Sequence, residues 1–99
     1  MSDVQAMETK CIEAASLLKM LSHPDRLKIL CELINGERSV GELMTKVKLS
    51  QSATSQFLIR MKLEGLVSSR KESLTVFYKI SDPKVEQIMF ALQTIFCTE

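Results

Sequence analysis

The side chains suited to nucleophilic, redox or soft-metal chemistry are few and far apart: Cys11, Cys31, Cys97 and one histidine, His23. Thiolate and imidazole hold soft metals when they converge in a tight cluster. An odd number of cysteines with no short C-x-x-C spacing is neither a zinc knuckle nor a disulfide scaffold. In a reducing cytosol, the expected compartment, such thiols stay free. His23 stands just before a helical pattern and reads as a structural residue of that helix's N-terminus. Cys11 falls on an apolar helix face, where a lone cysteine behaves as a small hydrophobe. With one histidine, no catalytic dyad at recognisable spacing and no phosphate-cradling loop, the chain does not read as an enzyme. No metal site and no cofactor is expected.

A second group of residues points to recognition instead. In "LSQSATSQFLIRMKLEGLV" (49–67) the first two turns of a helical segment carry Ser50, Gln51, Ser52, Thr54, Ser55 and Gln56. Hydroxyls and amides are moderate or poor helix formers and add little to a core. What they do well is donate and accept hydrogen bonds at a surface. The charge distribution agrees. Between Glu37 and Lys71 lie Arg38, Lys46, Lys48, Arg60, Lys62, Arg70 and Lys71 against Glu37, Glu42 and Glu64, a local excess of +4 in a chain whose net charge is +1. A positive centre between negative flanks suits a polyanion.

The elements that must position these residues can be read from periodicity. The length allows one domain, spanning 1–99. No apolar run is long enough to cross a membrane, and "MSDVQAMETK" is polar where a secretory signal would be basic, then greasy. Ile12, Ala15 and Leu18, with Ala14 and Leu21 beside them, give a first helix over about 4–20. "SHPDRLKILCELINGE" starts a second, with Pro24 at its first position, Asp25 at the positive dipole end and Gly36 as the stop. Its inward face is Leu27, Leu30, Cys31 and Ile34. "RSVGELMTKV" is a short third helix in which Ser39 and Glu42 have capping-box spacing, with Val40, Leu43 and Val47 inward. After the turn at Lys48–Leu49, Ser50 caps a fourth helix that ends at Gly65. The period then changes to two. "LVSSRK" and "TVFYKI", separated by "ESL", predict a hairpin. Asp82–Pro83 opens a last helix with Val85, Ile88, Met89, Leu92, Ile95 and Phe96 on a broad apolar stripe. The fold class is mainly α with a β-hairpin wing, in the order α-α-α-α-β-β-α.

Two helices joined by a short turn form a helix-turn-helix, whose second helix enters the major groove and presents its N-terminal residues to base edges. Thr54, Leu58 and Met61, with Phe57 beside them, make the inward stripe of the fourth helix. Gln51, Ser52, Ser55 and Gln56 then face outward as base readers. Lys46, Lys48, Ser50 and Arg60 around that helix, and Arg70 and Lys71 near the hairpin tip, are the candidate contacts to the phosphate backbone. The partner is double-stranded DNA.

"LSHPDRLKIL", "SVGEL", "LSQSATSQFLIRMKLEGLV" and "VFYKI" occur in the order of the segments of ArsR-type winged-helix repressors, and the chain resembles that family over about residues 12–97. The resemblance implies a winged helix-turn-helix that forms a homodimer through its first and last helices and binds an imperfect palindrome. Phe57 departs from the histidine that many relatives carry there. The metal sites usual in the family have no ligands here: "SVGELMTKV" lacks cysteine, and residues 82–99 lack histidine. Cys31 in "ILCEL" and Cys97 in "TIFCTE" instead match the positions used by the thiol- and persulfide-sensing subgroup. That resemblance implies a Cys31–Cys97 switch, with DNA released when an oxidant or reactive sulfur species links the two. The alternatives are a ligand-independent winged-helix regulator with structural cysteines, and a protein-interaction module.

Overall fold

The computed structural model describes residues 3–97. Its elements are α1 (Asp3–Leu21), α2 (Pro24–Leu33), β1 (Arg38–Ser39), α3 (Val40–Val47), α4 (Gln51–Leu63), β2 (Val67–Glu72), β3 (Thr75–Ile80) and α5 (Pro83–Phe96). Five helices and the hairpin follow the expected order. The difference is β1, a two-residue strand that pairs antiparallel with β3, Arg38 opposite Tyr78 and Ser39 opposite Phe77. It makes the hairpin one side of a three-stranded sheet of order β1-β3-β2. Two residues carry no period, so nothing local marks them as a strand. Ser39 also serves as the N-cap of α3, accepting from the Glu42 amide at 3.1 Å while Glu42 Oε1 accepts from the Ser39 amide at 3.1 Å. The sheet is thereby joined directly to the helix-turn-helix.

The helix ends follow from local chemistry. The Nδ1 of His23 accepts from the Asp25 amide at 3.1 Å and caps α2, so the histidine has the structural role read from its position. At the end of α4 the Leu66 amide donates to the Met61 carbonyl and the Gly65 amide to Lys62. This crossed pair requires a left-handed residue, supplied by Gly65 at φ +81°.

The core is built from the inner faces of α2, α3, α4, the hairpin base and α5. Ile29, Leu30, Leu43, Leu58, Met61, Leu66, Val85 and Met89 are its buried side chains with least exposure. The inward face of α2 includes Ile29 and Leu33 beside the expected Leu30 and Ile34, while Leu27 and Cys31 are only half-buried. The stripe on α1 forms the expected helix but mostly stays out of this core. Helical spacing places Ile12 and Leu18 on one face, yet they are 70% and 54% exposed, and Leu21 alone in α1 is buried. On α5, Ile95 and Phe96 are exposed as well. An open groove of about 1000 Å³ runs between the two helices, bordered by Ile12, Leu17, Leu18, Ile88 and Ala91. The apolar stripe of α1 and the C-terminal end of the α5 stripe are thus left unburied within one protomer.

Candidate nucleic-acid interface

The exposed face of α4 depends on how firmly its other face is held. Thr54, Leu58 and Met61 are all fully buried, as their spacing predicts. Burying a hydroxyl costs free energy unless it is hydrogen-bonded. Thr54 Oγ1 donates to the Ser50 carbonyl at 2.8 Å, the carbonyl that also receives the Thr54 amide at 3.0 Å. Ser50 caps the helix, its Oγ accepting from the Ala53 amide at 3.1 Å. That acceptor role occupies the oxygen of a residue also read as a backbone contact; the hydroxyl proton remains for a phosphate. Lys48, the C-cap of α3, lies in the left-handed region at φ 56° and ψ 43°, with its amide bonded to the Met44 carbonyl. This one residue makes the reversal between α3 and α4.

With the inner face fixed, Gln51, Ser52 and Gln56 are exposed and Ser55 is half-buried on the outer side of the first two turns. Lys46, Lys48 and Arg60 are exposed around them. Arg60 leans toward Glu64 at 3.7 Å but its side chain is largely in solvent. The far end of α4 is anchored by Arg26, whose Nη1 meets Glu64 Oε1 at 2.7 Å and the Met20 carbonyl at 2.8 Å. Lys62 Nζ donates to Ser69 Oγ at 2.7 Å, tying α4 to β2. Phe57 is half-buried and its ring lies 5.0 Å from that of His23, tilted by 53°. α4 therefore contacts the capping residue of α2 directly.

In the wing, β2 and β3 pair from Val67–Ile80 to Glu72–Thr75, leaving Ser73 and Leu74 as the tip. Lys71 is exposed two residues short of the tip. Arg70 is placed differently from the expectation of an unencumbered cation. Its Nε sits 2.9 Å from both carboxylate oxygens of Glu37, its Nη2 2.7 Å from Glu37 Oε1, and its Nη1 2.7 Å from Glu72 Oε2. The guanidinium also lies 4.5 Å from the ring centroid of Phe77, its cross-strand partner. Bonding to Arg70 holds the Glu37 carboxyl below the usual carboxylate range, and the two carboxylates push the Arg70 pKa above its ordinary value. The sequence pattern puts Glu72 in the turn, but β2 runs through it, and the two-residue strand repeat sets it on the same face as Arg70. Glu37 was not legible as a neighbour, being 33 positions away.

The thiols lie on α1, on α2 and at the end of α5. Cys31 is half-buried on α2, and Cys97 is exposed at the C-cap of α5, its amide bonded to the Gln93 carbonyl at 2.9 Å. Burial pushes the Cys31 thiol up, and negative charge on Cys97 and then Glu32 pushes it further. The two cysteines sit on different helices, and α5 packs against α2. Cys11, read as a packing residue, is instead exposed on α1. Among the described residues, no three or more His, Cys, Asp or Glu side chains come together to hold a metal ion. Nor is any described helix long and apolar enough to cross a membrane.

Residues 23–69 match the model of the bacterial regulatory proteins of the arsR family. The transcriptional activator HlyU of Vibrio cholerae serotype O1 is 43% identical over 95 residues, covering 96% of this chain and 88% of HlyU. The chain belongs to the ArsR family. A solved structure of reduced HlyU from Vibrio cholerae N16961 superimposes with a TM-score of 0.89 at 44% identity, covering 95% of this chain and 99% of that one. The biofilm growth-associated repressor of Xylella fastidiosa strain Temecula1 is 43% identical over 93 residues, covering 94% of this chain and 82% of the repressor. A homodimeric winged helix-turn-helix DNA-binding domain from Mycobacterium bovis matches with a TM-score of 0.73 at 29% identity, covering 96% of this chain and 86% of that domain. The ArsR-family relatives are named as regulators, not as enzymes, and the architecture here is their winged helix-turn-helix.

Proposed function

We propose that this ArsR-family chain is a dimeric, sequence-specific DNA-binding transcriptional regulator whose DNA affinity falls when Cys31 and Cys97 become linked. The observation that carries the DNA reading is α4 itself. One face is locked into the core by Thr54, Leu58 and Met61, and the other offers Gln51, Ser52, Ser55 and Gln56 to base edges. Lys46, Lys48, Ser50, Arg60 and Lys71 contact phosphates and set the register, and Arg70 joins them only when its carboxylate partners release it. The exposed apolar faces of α1 and α5 pair with a second copy, and the homodimeric Mycobacterium bovis relative supports this. A two-fold dimer reads an imperfect palindrome.

The upward push of Cys97 on the Cys31 thiol supports the switch, as does the similarity to a structure solved as reduced HlyU. In the reducing cytoplasm both thiols are free and the dimer binds. An oxidant removes two electrons as two protons leave, and one S–S bond joins α2 to α5. Sulfane sulfur acts equivalently, inserting between the cysteines and departing in part as hydrogen sulfide. Exposed Cys97 reacts first, and half-buried Cys31, whose thiol pKa is pushed up by burial, closes the link. Repacking α5 on α2 shifts the two recognition helices out of step with the groove repeat.

The test selects bound sequences from a random duplex pool and then measures mobility shifts on the selected DNA, before and after polysulfide treatment. Inverted repeats and loss of binding together with a 31–97 link by mass spectrometry are expected. Selection without any enriched repeat would overturn the DNA reading, and undiminished binding by the linked protein would overturn the switch.

A further inference from the structure

The wing carries a cation that is already neutralised. Arg70 makes four contacts of 2.7–2.9 Å with Glu37 and Glu72 and lies against Phe77. Isolated surface ion pairs are loosely held, because each side chain is mobile and well solvated. This one is different in geometry. Arg70 is engaged in fork fashion by Glu37, from a second carboxylate along its own strand, and by an aromatic face from the strand opposite, so three elements restrict its direction. Glu37 follows Gly36, which takes φ +131° after α2, and is only 28% exposed at its side chain. The cluster Glu37, Arg70 and Glu72 bears a net charge of −1 at a position where a phosphate-binding wing needs positive charge.

We infer that Glu37 is an electrostatic brake on the wing, keeping Arg70 out of the phosphate contacts and so limiting affinity for DNA of any sequence. This deepens the DNA-binding reading and rests on it. A brake of this kind lowers non-specific binding, which comes almost wholly from phosphate neutralisation. It leaves base discrimination by α4 untouched, so operator and bulk-DNA affinities fall together and their ratio is unchanged.

The experiment measures affinity against salt for operator and random duplex with the full chain, Arg70→Ala, Glu37→Gln and the double variant. Glutamine keeps the shape of Glu37 and an acceptor oxygen but removes the charge, and thermal melting checks that each variant folds. In the parent, Arg70→Ala should leave the log–log salt slope unchanged, because no phosphate contact is lost. Glu37→Gln should tighten binding to both duplexes and steepen the slope by about 0.9 for each protomer engaged. Adding Arg70→Ala to Glu37→Gln should remove that increment. A slope that falls by about 0.9 per protomer with Arg70→Ala alone, or no change with Glu37→Gln, overturns the brake while leaving the DNA reading intact. Failure of the parent to bind any duplex overturns both.

Discussion

Lys48 is asked to do two things that a single substitution separates. It supplies a cation beside α4, and it bends the chain between α3 and α4 with φ 56° and ψ 43°. For an L-residue with a Cβ the left-handed region costs about 1–2 kcal/mol. Glycine removes that cost, although its extra freedom in the unfolded chain takes back about 0.4–1 kcal/mol. Lys48→Gly should therefore stabilise the fold by about 0.8 kcal/mol, the difference between the midpoints of those two ranges. For a domain of this size that raises Tm by about 3–6 °C, measured at one fixed protein concentration because a dimer's Tm depends on it. The same variant should weaken binding to every duplex and lower the log–log salt slope by about 0.9 per protomer. Lys48→Ala is the control. It loses the charge and keeps the backbone cost, so its slope should fall equally while its Tm does not rise. Equal melting temperatures for the two variants would refute the backbone argument. An unchanged slope in both would remove Lys48 from the phosphate contacts.

Gln56→Ala and Ser55→Ala should weaken operator binding by about 1–3 kcal/mol per lost base contact and random-duplex binding much less, so equal losses on both would show that α4 is not the reader. Lys71→Ala should reduce affinity for all duplexes and flatten the salt slope, and an unchanged slope would take the wing out of the interface. Cys31→Ser and Cys97→Ser should bind operator when reduced and keep binding after polysulfide or oxidant treatment, whereas Cys11→Ser should release DNA like the parent. Because the Cys31 thiol is pushed up, its thiolate fraction keeps growing above the ordinary thiol pKa, so the rate of closing the link should still climb there; a plateau below it would exclude Cys31 as the closing nucleophile. Arg26→Ala should destabilise the fold by about 1.5–3 kcal/mol by denaturant titration, since its 2.7 Å bond to Glu64 joins side chains only 13% and 22% exposed. A coupling near zero between Arg26 and Glu64 in a double-mutant cycle would show that the pair is incidental.

The sequence by itself determined what depends on near neighbours. The Ser39–Glu42 capping box, the Ser50 cap, the Gly65 stop, the His23 N-terminus and the Thr54–Leu58–Met61 stripe all arise within one or two helical turns. Their chemistry is written in consecutive residues. The polar front of α4 was equally legible, because hydroxyls and amides gathered in a helix have little to do in a core. The tertiary structure alone decided what depends on meetings across the chain. β1 exists only because β3 passes beside Arg38 and Ser39. The stripe on α1 has the same 3.6-residue period whether it faces its own core or a second copy, so period could not tell that Ile12 and Leu18 would be left exposed. Cys31 and Cys97 came to share an electrostatic environment by the packing of α5 on α2. Arg70, a bare basic residue in the sequence, became a clamped and neutralised one when the fold carried Glu37 to it. Local pattern sets which faces and caps a segment has, but charge compensation and partner choice are properties of where the chain returns.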